Sequence, residues 1–221
     1  MTNIRSQYPR SITLTSGNIR DLAKECEQLN IRGTVALHQD VHIKRISTHG
    51  YSSFHYQVTA DTLNNTGSCV IKGNCEVKEI INKGNFKIRS GQTTKINSLG
   101  KLTIEQILQS DHVHSIGVIQ AKEIHSKNFQ LKVSSKSEIE RLITIDACVK
   151  KDMKTISLFQ KKLICKYIKG EHLQLSYTDA EVVEGDIVVI NKNCNIQTLY
   201  YKEKYIISPL AKVQHIIRRE K

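Results

Sequence analysis

The chain of 221 residues contains no tryptophan, two prolines and only 5% aromatic residues. Globular domains with one large core usually draw on aromatic side chains, because each of them buries a large apolar area. The shortage therefore argues against such a core and favours a thin, layered core of aliphatic side chains. Valine, isoleucine and threonine are abundant instead, which favours strands over helices.

Signals for membranes, secretion and disulfides are also missing. The N-terminal sequence MTNIRSQYPRSITLTSG has no apolar segment or cleavage site typical of a secretory signal. No stretch reaches the ~18–20 apolar residues of a membrane helix. We therefore predict a cytoplasmic protein, peripheral at the inner face of the membrane at most. No CxxC pair occurs among the cysteines, which we expect to be buried, reduced thiols. They are Cys26, Cys69, Cys75, Cys148, Cys165 and Cys194.

Positive charge is in excess, with 33 Lys and Arg against 21 Asp and Glu and a formal net charge of +12. The cations are spread along the chain, which is typical of a solvated outer surface. The same charge permits attraction to an acidic polymer or an anionic membrane. The only aromatic cluster is Tyr200, Tyr201 and Tyr205, too few for the stacking platforms of single-strand binders. We therefore disfavour nucleic acid as a partner.

Glycines mark a regular repeat. Seven of the eleven glycines are separated by 16 or 17 residues, and self-similarity at a fixed period is the signature of a solenoid. The best-preserved copy is GSCVIKGNCEVKEIINK, from Gly67 to Lys83. The seven glycines are Gly17, Gly33, Gly50, Gly67, Gly84, Gly100 and Gly117.

Each repeat carries three short segments in which apolar and polar residues alternate. In the best copy these are Cys69 with Ile71, Cys75 with Val77, and Ile80. Alternation is typical of half-buried strands. The pattern predicts an all-β fold, a parallel β-helix with a triangular cross-section and ~17 residues per coil. The strict hexapeptide motif of left-handed β-helices is missing, so we predict the right-handed form.

A polar column lies two residues before the glycines. Its members are Thr48, Asn65, Asn82, Ser98 and Ser115. Such side chains suit turns, and we expect the following glycine to supply any positive φ that the corner needs. Two interpretations stay open. The side chains form a ladder of hydrogen bonds from coil to coil, which we favour for Asn65 and Asn82 only, or they are solvated loop residues.

Four regions follow from these patterns. Residues 1–28 form a loose lead-in and a cap, residues 29–150 the main β-helical block, residues 151–168 an irregular or helical insertion, and residues 169–221 a C-terminal β-helical block with a basic tail. Within the first region, Ile19, Leu22, Ala23, Cys26 and Leu29 have helical spacing. This segment is either a short helix covering the end of the stack or a degenerate first coil.

No arrangement of residues typical of catalysis, a cofactor or a metal site is found. Phosphate-binding loops, nucleophile elbows and HExxH are missing. Asp179, Glu181, Glu184 and Asp186 lie in a turn-rich stretch that we interpret as a solvated loop. His112, His114 and His125 are interpreted as strand surface residues rather than metal ligands. We predict a protein that is not an enzyme.

The ends of a β-helix expose unpaired backbone groups, which are templates for a further strand. Identical coils meeting end to end would continue the sheet and bury the last aliphatic layer. We therefore predict self-assembly through the end coils into a homopolymer or homo-oligomer. The predicted contact residues are Ile19, Leu22, Leu29, Ile206, Leu210, Val213 and Ile216.

The repeats GTVALHQDVHIKRISTHG, GSCVIKGNCEVKEIINKG and GNFKIRSG resemble those of the bactofilins, bacterial cytoskeletal proteins with a right-handed β-helical core. GDIVVINKNCNIQTLYY resembles the C-terminal block of longer Gram-positive members. The resemblance spans about Leu29 to Val213. It implies nucleotide-independent polymerisation and roles in cell shape or in organising envelope or membrane-associated proteins.

Two departures from the bactofilin pattern leave an alternative open. Gln39 and His49 stand where that family favours glycine or asparagine, and the 153–163 segment is additional. Polymerisation could thus be lost, leaving a soluble partner. The second functional hypothesis is a β-helical binding module for an acidic polymer or an anionic membrane surface.

Overall fold

The computed structural model describes residues 11–22, 26–154 and 160–219. All regular secondary structure in these residues is β-strand, and every strand pairing is parallel. The strands are β1 Ser11–Ile19, β2 Gln28–Leu37, β3 Val41–His42, β4 Arg45–Thr48, β5 Tyr51–Phe54, β6 Val58–Asn65, β7 Ser68–Asn82, β8 Asn85–Ser98, β9 Lys101–Val133, β10 Ser137–Lys151, β11 Leu163–Leu175, β12 Thr178–Ile190, β13 Asn195–Ile207 and β14 Lys212–Arg218.

The chain winds into a solenoid of about 12 turns with ~17 residues per turn. Each coil has three sides, and each side pairs with the same side of the next coil. On one side Leu29 aligns with Ile46 and Ile46 with Leu63. At ~4.8 Å per coil the stack is about 50–60 Å long. The predicted parallel β-helix is confirmed, and its right-handed sense stays a prediction.

The core is a thin column of aliphatic side chains, as the shortage of aromatic residues predicted. Inward positions repeat from coil to coil and are fully buried at Leu29, Ile46, Leu63, Ile80 and Ile96. Outward positions alternate with them along every strand, as in β7, where buried and exposed residues alternate. Burial of these layers on all three sides drives coil stacking, because single coils have no closed core of their own.

Glycine is required at one corner because the backbones of successive coils approach closely there. A Cβ added to Gly67 would lie 2.1 Å from the carbonyl oxygen of Gly50, and one added to Gly84 would lie 2.1 Å from that of Gly67. Only Gly17 and Gly117 have positive φ among the glycines. The expectation that the corner needs positive φ is therefore wrong for most coils, and the requirement is space.

The polar column preceding these glycines is buried and hydrogen-bonded from coil to coil. Thr48 Oγ1 donates to Asn65 Oδ1 at 2.8 Å, Asn65 Nδ2 to Asn82 Oδ1 at 2.8 Å, and Asn82 Nδ2 to Ser98 Oγ at 2.9 Å. The ladder is confirmed for Asn65 and Asn82 and extends to Thr48 and Ser98. Ser115 continues the column, but its Oγ has no hydrogen-bond partner among the described residues.

The N-terminal region forms a coil rather than a loose lead-in from Ser11 onward. β1 pairs with β2 over its whole length, so that Ile12 aligns with Leu29 and Ile19 with Leu37. Of the two alternatives, the degenerate first coil is the one observed up to Ile19. Residues 1–10 and 23–25, which include Ala23 of the helical pattern, lie outside the described residues.

The insertion does not break the stack. β10 ends at Lys151, β11 begins at Leu163, and the two pair directly with Ser137 opposite Leu163. β10 and β11 thus lie in successive coils although residues 152–162 separate them in sequence. The predicted insertion, residues 151–168, extends too far at its C-terminal side, because β11 already begins at Leu163. Residues 155–159 lie outside the described residues.

Candidate functional site

The last described coil leaves an apolar surface at the C-terminal end of the solenoid. β14 pairs with β13 and with no other strand among the described residues. Its inward residues Val213 and Ile216 continue the columns of Ile196 and Leu199. Ile196 and Leu199 are fully buried, whereas Ile216 is 42% exposed. The difference arises because no described coil covers β14.

The third side of this end is closed by the last residues of β13. Tyr205 and Ile207 continue the buried columns of Val188 and Ile190. Leu210, in the turn before β14, is 70% exposed. We define the C-terminal end surface by Tyr205, Ile207, Leu210, Val213 and Ile216.

The predicted contacts at this end are placed as follows. Leu210, Val213 and Ile216 belong to the C-terminal end surface. Ile206 aligns with Val189 on the outward side instead. The inward residues on either side of it, Tyr205 and Ile207, were missed. The alternation in KYII fixes the spacing but not which of two apolar neighbours faces the core.

At the N-terminal end the predicted contacts fall at different depths. Ile19 lies half-buried in β1, and Leu22 is buried just after it. Leu29 is fully buried in the second coil under Ile12. Leu29 is therefore a core residue rather than an end residue. Ile12 and Leu14 are the half-buried residues of the first coil, and they were missed because this segment was interpreted as a lead-in.

A shallow groove of about 990 Å³ runs along one corner of the solenoid, from Ile43 to Ile145. Buried hydroxyls form its floor, where Thr93 Oγ1 donates to Ser110 Oγ at 2.8 Å. Its charges cancel in pairs: Lys78 bonds Asp61 and Lys127 bonds Asp111, each at 2.8 Å. The groove can form hydrogen bonds but presents little net charge to a ligand.

A charged network joins the last coils on the outward face. Glu184, with 12% of its side chain exposed, accepts a hydrogen bond from Tyr167 Oη at 2.6 Å and pairs with Lys169 at 3.1 Å. Arg219 bonds the same carboxylate and lies 4.8 Å from the ring centroid of Tyr200. The network ties the end of the described chain to a coil two turns earlier.

The pKa values of this network follow from burial and hydrogen bonding. Burial alone would raise the pKa of Glu184, but hydrogen bonds from Tyr167 and Lys169 and the charge of Arg219 hold it below its usual value. Burial and the hydrogen bond to Glu184 raise the pKa of Tyr167 to about 12. Glu184 is therefore held as a carboxylate that accepts bonds, which is a structural role rather than that of a proton donor.

The interpretation of the acidic stretch as a solvated loop is wrong. Asp179, Glu181, Glu184 and Asp186 all lie on β12. Asp179 pairs with Lys162 at 2.5 Å and Asp186 with Lys202 at 3.8 Å. Acids that seemed to mark a turn are strand residues, and Asp179, Glu184 and Asp186 pair with cations of other coils.

The histidines are not gathered into a metal site. His112 and His114 occupy outward positions of β9, opposite Lys95 and Asn97, and His125 bonds Glu123 at 2.6 Å. No group of three or more His, Cys, Asp or Glu suited to a metal occurs within the described residues.

All six cysteines are free thiols. Five are buried, as predicted, and Cys148 is half-buried on an outward position. Burial raises the pKa of Cys69 to about 12 and that of Cys194 to about 11. These two thiols are therefore held protonated near neutral pH.

No protein-family model, curated protein or solved structure matches this chain. The resemblance to bactofilins accordingly rests on the quoted repeats. Within the residues that the structure describes, no helix is long and apolar enough to span a membrane.

Proposed function

We propose that this protein is a scaffold that self-assembles end to end without nucleotide. The observation that carries the proposal is the C-terminal end surface, where inward apolar positions of the last coil are exposed. Unpaired strand edges with an apolar face are templates for another strand. Burying the exposed part of Ile216 and its neighbours under a second copy would gain the same kind of stabilisation that holds each inner coil.

Strand direction selects the arrangement of the copies. Every pairing in the solenoid is parallel, so the C-terminal coil of one copy placed on the N-terminal coil of another continues the sheet in the same direction. Such a contact is heterologous, and heterologous contacts that do not close into a ring give filaments. The half-buried Ile12, Leu14 and Ile19 of the first coil are the complementary layer.

Charge sets the conditions under which assembly should occur. Lys212 and Arg218 lie at the C-terminal end, and Arg20 follows the first strand. These cations would repel across the junction at low ionic strength, and salt screens such repulsion. We therefore expect assembly to increase with salt concentration.

The resemblance to bactofilins is consistent with this proposal. It extends the proposal to a role in cell shape or in organising envelope-associated proteins. That role follows from the resemblance alone, whereas the assembly contact can be tested on purified protein.

The test is electron microscopy and light scattering of the purified protein at low and high salt. We expect filaments in the wild type and their loss in Ile216→Lys, because the lysine would be buried at the junction without a partner at a cost of several kcal/mol. The matched control is Leu99→Lys, which adds the same charge at a residue 56% exposed in the middle of the stack. It should assemble normally.

Two results would refute end-to-end assembly. One is a wild-type protein that stays monomeric by light scattering at every salt concentration. The other is filaments in both Ile216→Lys and Leu14→Lys, which would mean that copies associate through their sides.

A further inference from the structure

Five basic residues, three of them Lys or Arg, form a line along one corner of the solenoid. In five successive coils, a basic residue directly follows the last inward residue of the same side. These residues are Arg20, His38, His55, Lys72 and Arg89. The rings of His38 and His55 stack with centroids 4.1 Å apart. Lys72 Nζ lies 3.5 Å from His55 Nε2. We call this line the cationic ladder.

The members of the cationic ladder are not neutralised by acids. Within the described residues, none of the five has an ion pair. Several other lysines face an acid in the adjacent coil, which cancels their charge. Examples are Lys44 with Glu27, Lys78 with Asp61 and Lys127 with Asp111.

The like charges of Lys72 and Arg89, in neighbouring coils, repel one another at the ~4.8 Å spacing of strands. The fold itself does not require them, since outward positions tolerate acids or neutral residues. A linear ligand with regularly spaced negative charges would remove this repulsion. It would also release counterions, so its binding would weaken as salt rises.

Neighbouring side chains indicate the class of polymer. Gln57 and Asn74 lie beside the cationic ladder and can bond hydroxyl groups, and Tyr56, 54% exposed, offers one aromatic face. Single-stranded nucleic acids are usually held by a series of aromatic platforms, and this corner has one. The phosphates of a duplex wind away from a straight line. A sugar chain with one acid per ring has charges at about the coil spacing.

We propose that the cationic ladder binds an anionic polysaccharide lying along the solenoid axis. The site is independent of the C-terminal end surface, so Ile216→Lys should bind the polymer as the wild type does. Failure of self-assembly would therefore leave this proposal intact, and the reverse also holds.

His55 makes the proposed binding depend on pH. It faces His38 and Lys72, and the carboxylate of Asp40 accepts a hydrogen bond from the backbone N–H of Gln57. Burial, Lys72 and His38 together lower the pKa of His55. The imidazole of His55 gains a proton as the pH falls, whereas polygalacturonate stays ionised above about pH 5. Binding should tighten from about pH 7.5 to about pH 5.5.

The experiment is calorimetric titration of the purified chain with a polygalacturonate fragment, with dextran as the uncharged comparison. The wild type should bind the first and not the second. Lys72→Gln/Arg89→Gln should weaken binding about tenfold and reduce its salt dependence. The matched control is Lys83→Gln/Lys150→Gln, which removes the same charge from exposed lysines outside the ladder. Lys72→Arg, which keeps the charge, should bind normally.

Three outcomes would overturn the proposal. The first is equal weakening in the ladder and control variants, which would mean that only net charge matters. The second is tighter binding of a single-stranded oligonucleotide or of anionic vesicles than of polygalacturonate. The third is no change in affinity between about pH 7.5 and about pH 5.5.

Discussion

From Gly33 to Gly117, each coil has a glycine corner that is preceded by a buried residue. From Thr48 to Ser98 these buried residues are polar and form a hydrogen-bonded ladder. In the second half of the solenoid the same column holds Leu131, Val149, Leu175 and Ile190, all buried. The corners there contain no glycine, and Tyr177 and Asn193 adopt positive φ instead.

Both halves nevertheless build the same coil. In the first half, the buried polar side chains of the column hydrogen-bond one another, and glycine is needed where the backbones of successive coils approach closely. The second half fills the column with aliphatic side chains and turns its corners through left-handed residues, which asparagine accepts more readily than tyrosine. Coil geometry is thus set by parallel pairing and a filled core, while the choice of residues within the core is free.

The strongest test of this difference is a methyl group at the glycine corner. Gly67→Ala would place Cβ 2.1 Å from the backbone oxygen of Gly50, so the coils must separate. We expect a loss of more than about 3 kcal/mol in the free energy of unfolding. The equivalent corners of the second half have no glycine, so Gly185, at a different position within β12, is the comparison. Gly185→Ala would first meet a side-chain methyl of Val188 at 2.7 Å, which can rotate, and should cost about 1 kcal/mol.

Urea denaturation followed by circular dichroism measures both variants. Equal losses would mean that the glycine corner of the first half is no more restrictive than the position of Gly185, contrary to the comparison.

The next largest expected effect distinguishes the polar column of the first half from the aliphatic column of the second half. Val149→Asn would bury an amide between Leu131 and Leu175, which offer no side-chain partner, and should cost about 2–3 kcal/mol. Ser98→Asn introduces the same residue next to Asn82 and Ser115, whose Oγ has no partner. It should stay within about 1 kcal/mol of the wild type, because the ladder is extended by a hydrogen bond.

Thermal unfolding of the two asparagine variants measures this difference. Greater destabilisation by Ser98→Asn than by Val149→Asn would show that steric fit rather than hydrogen bonding decides the column.

The smallest effect concerns the charges of the two halves. Ion pairs in the first half are exposed, whereas Glu184 in the second half is largely enclosed. Its pKa is depressed in the folded state, so it contributes stability above the ordinary value of 4.5 that is lost as the pH falls through the folded value. Glu184→Gln should therefore lower stability near neutral pH and flatten its decline in acid.

The measurement is the urea midpoint at about pH 7 and about pH 3.5. Glu171→Gln, on the exposed face of β11, is the control and should follow the wild type at both pH values. If Glu184→Gln lowered the urea midpoint by the same amount at both pH values, stability would not depend on the ionisation of Glu184.

How far the sequence could predict this protein differs along the chain. Alternation and glycine spacing from Gly33 to Gly117 predicted the parallel coil, the aliphatic core and the asparagine ladder, because each depends on residues that recur at one period. They did not predict β1. Its single glycine, Gly17, stands at the end of SITLTSG, and no earlier glycine marks the beginning of a coil. After Val133 the regular glycine spacing is lost, so the sequence did not reveal that the stack of coils continues there.

The candidate sites divide similarly. Leu210, Val213 and Ile216 were predicted at the C-terminal end from apolar spacing in the tail. Leu29 was misplaced, because whether a residue ends a stack depends on the segment that covers it. The cationic ladder was missed altogether, since its members are spaced 17 or 18 residues apart and become neighbours only when coils align.

The sequence by itself determined the period, the three alternating segments and the position of the polar column, since period and alternation are local properties of the chain. Only the tertiary structure decided which neighbours meet across coils. It showed that the glycines provide room for a backbone oxygen rather than a positive φ. It also showed that three acids of β12 pair with cations of other coils and that five basic residues stand in line. Those contacts depend on register between residues far apart in sequence, which no single segment encodes.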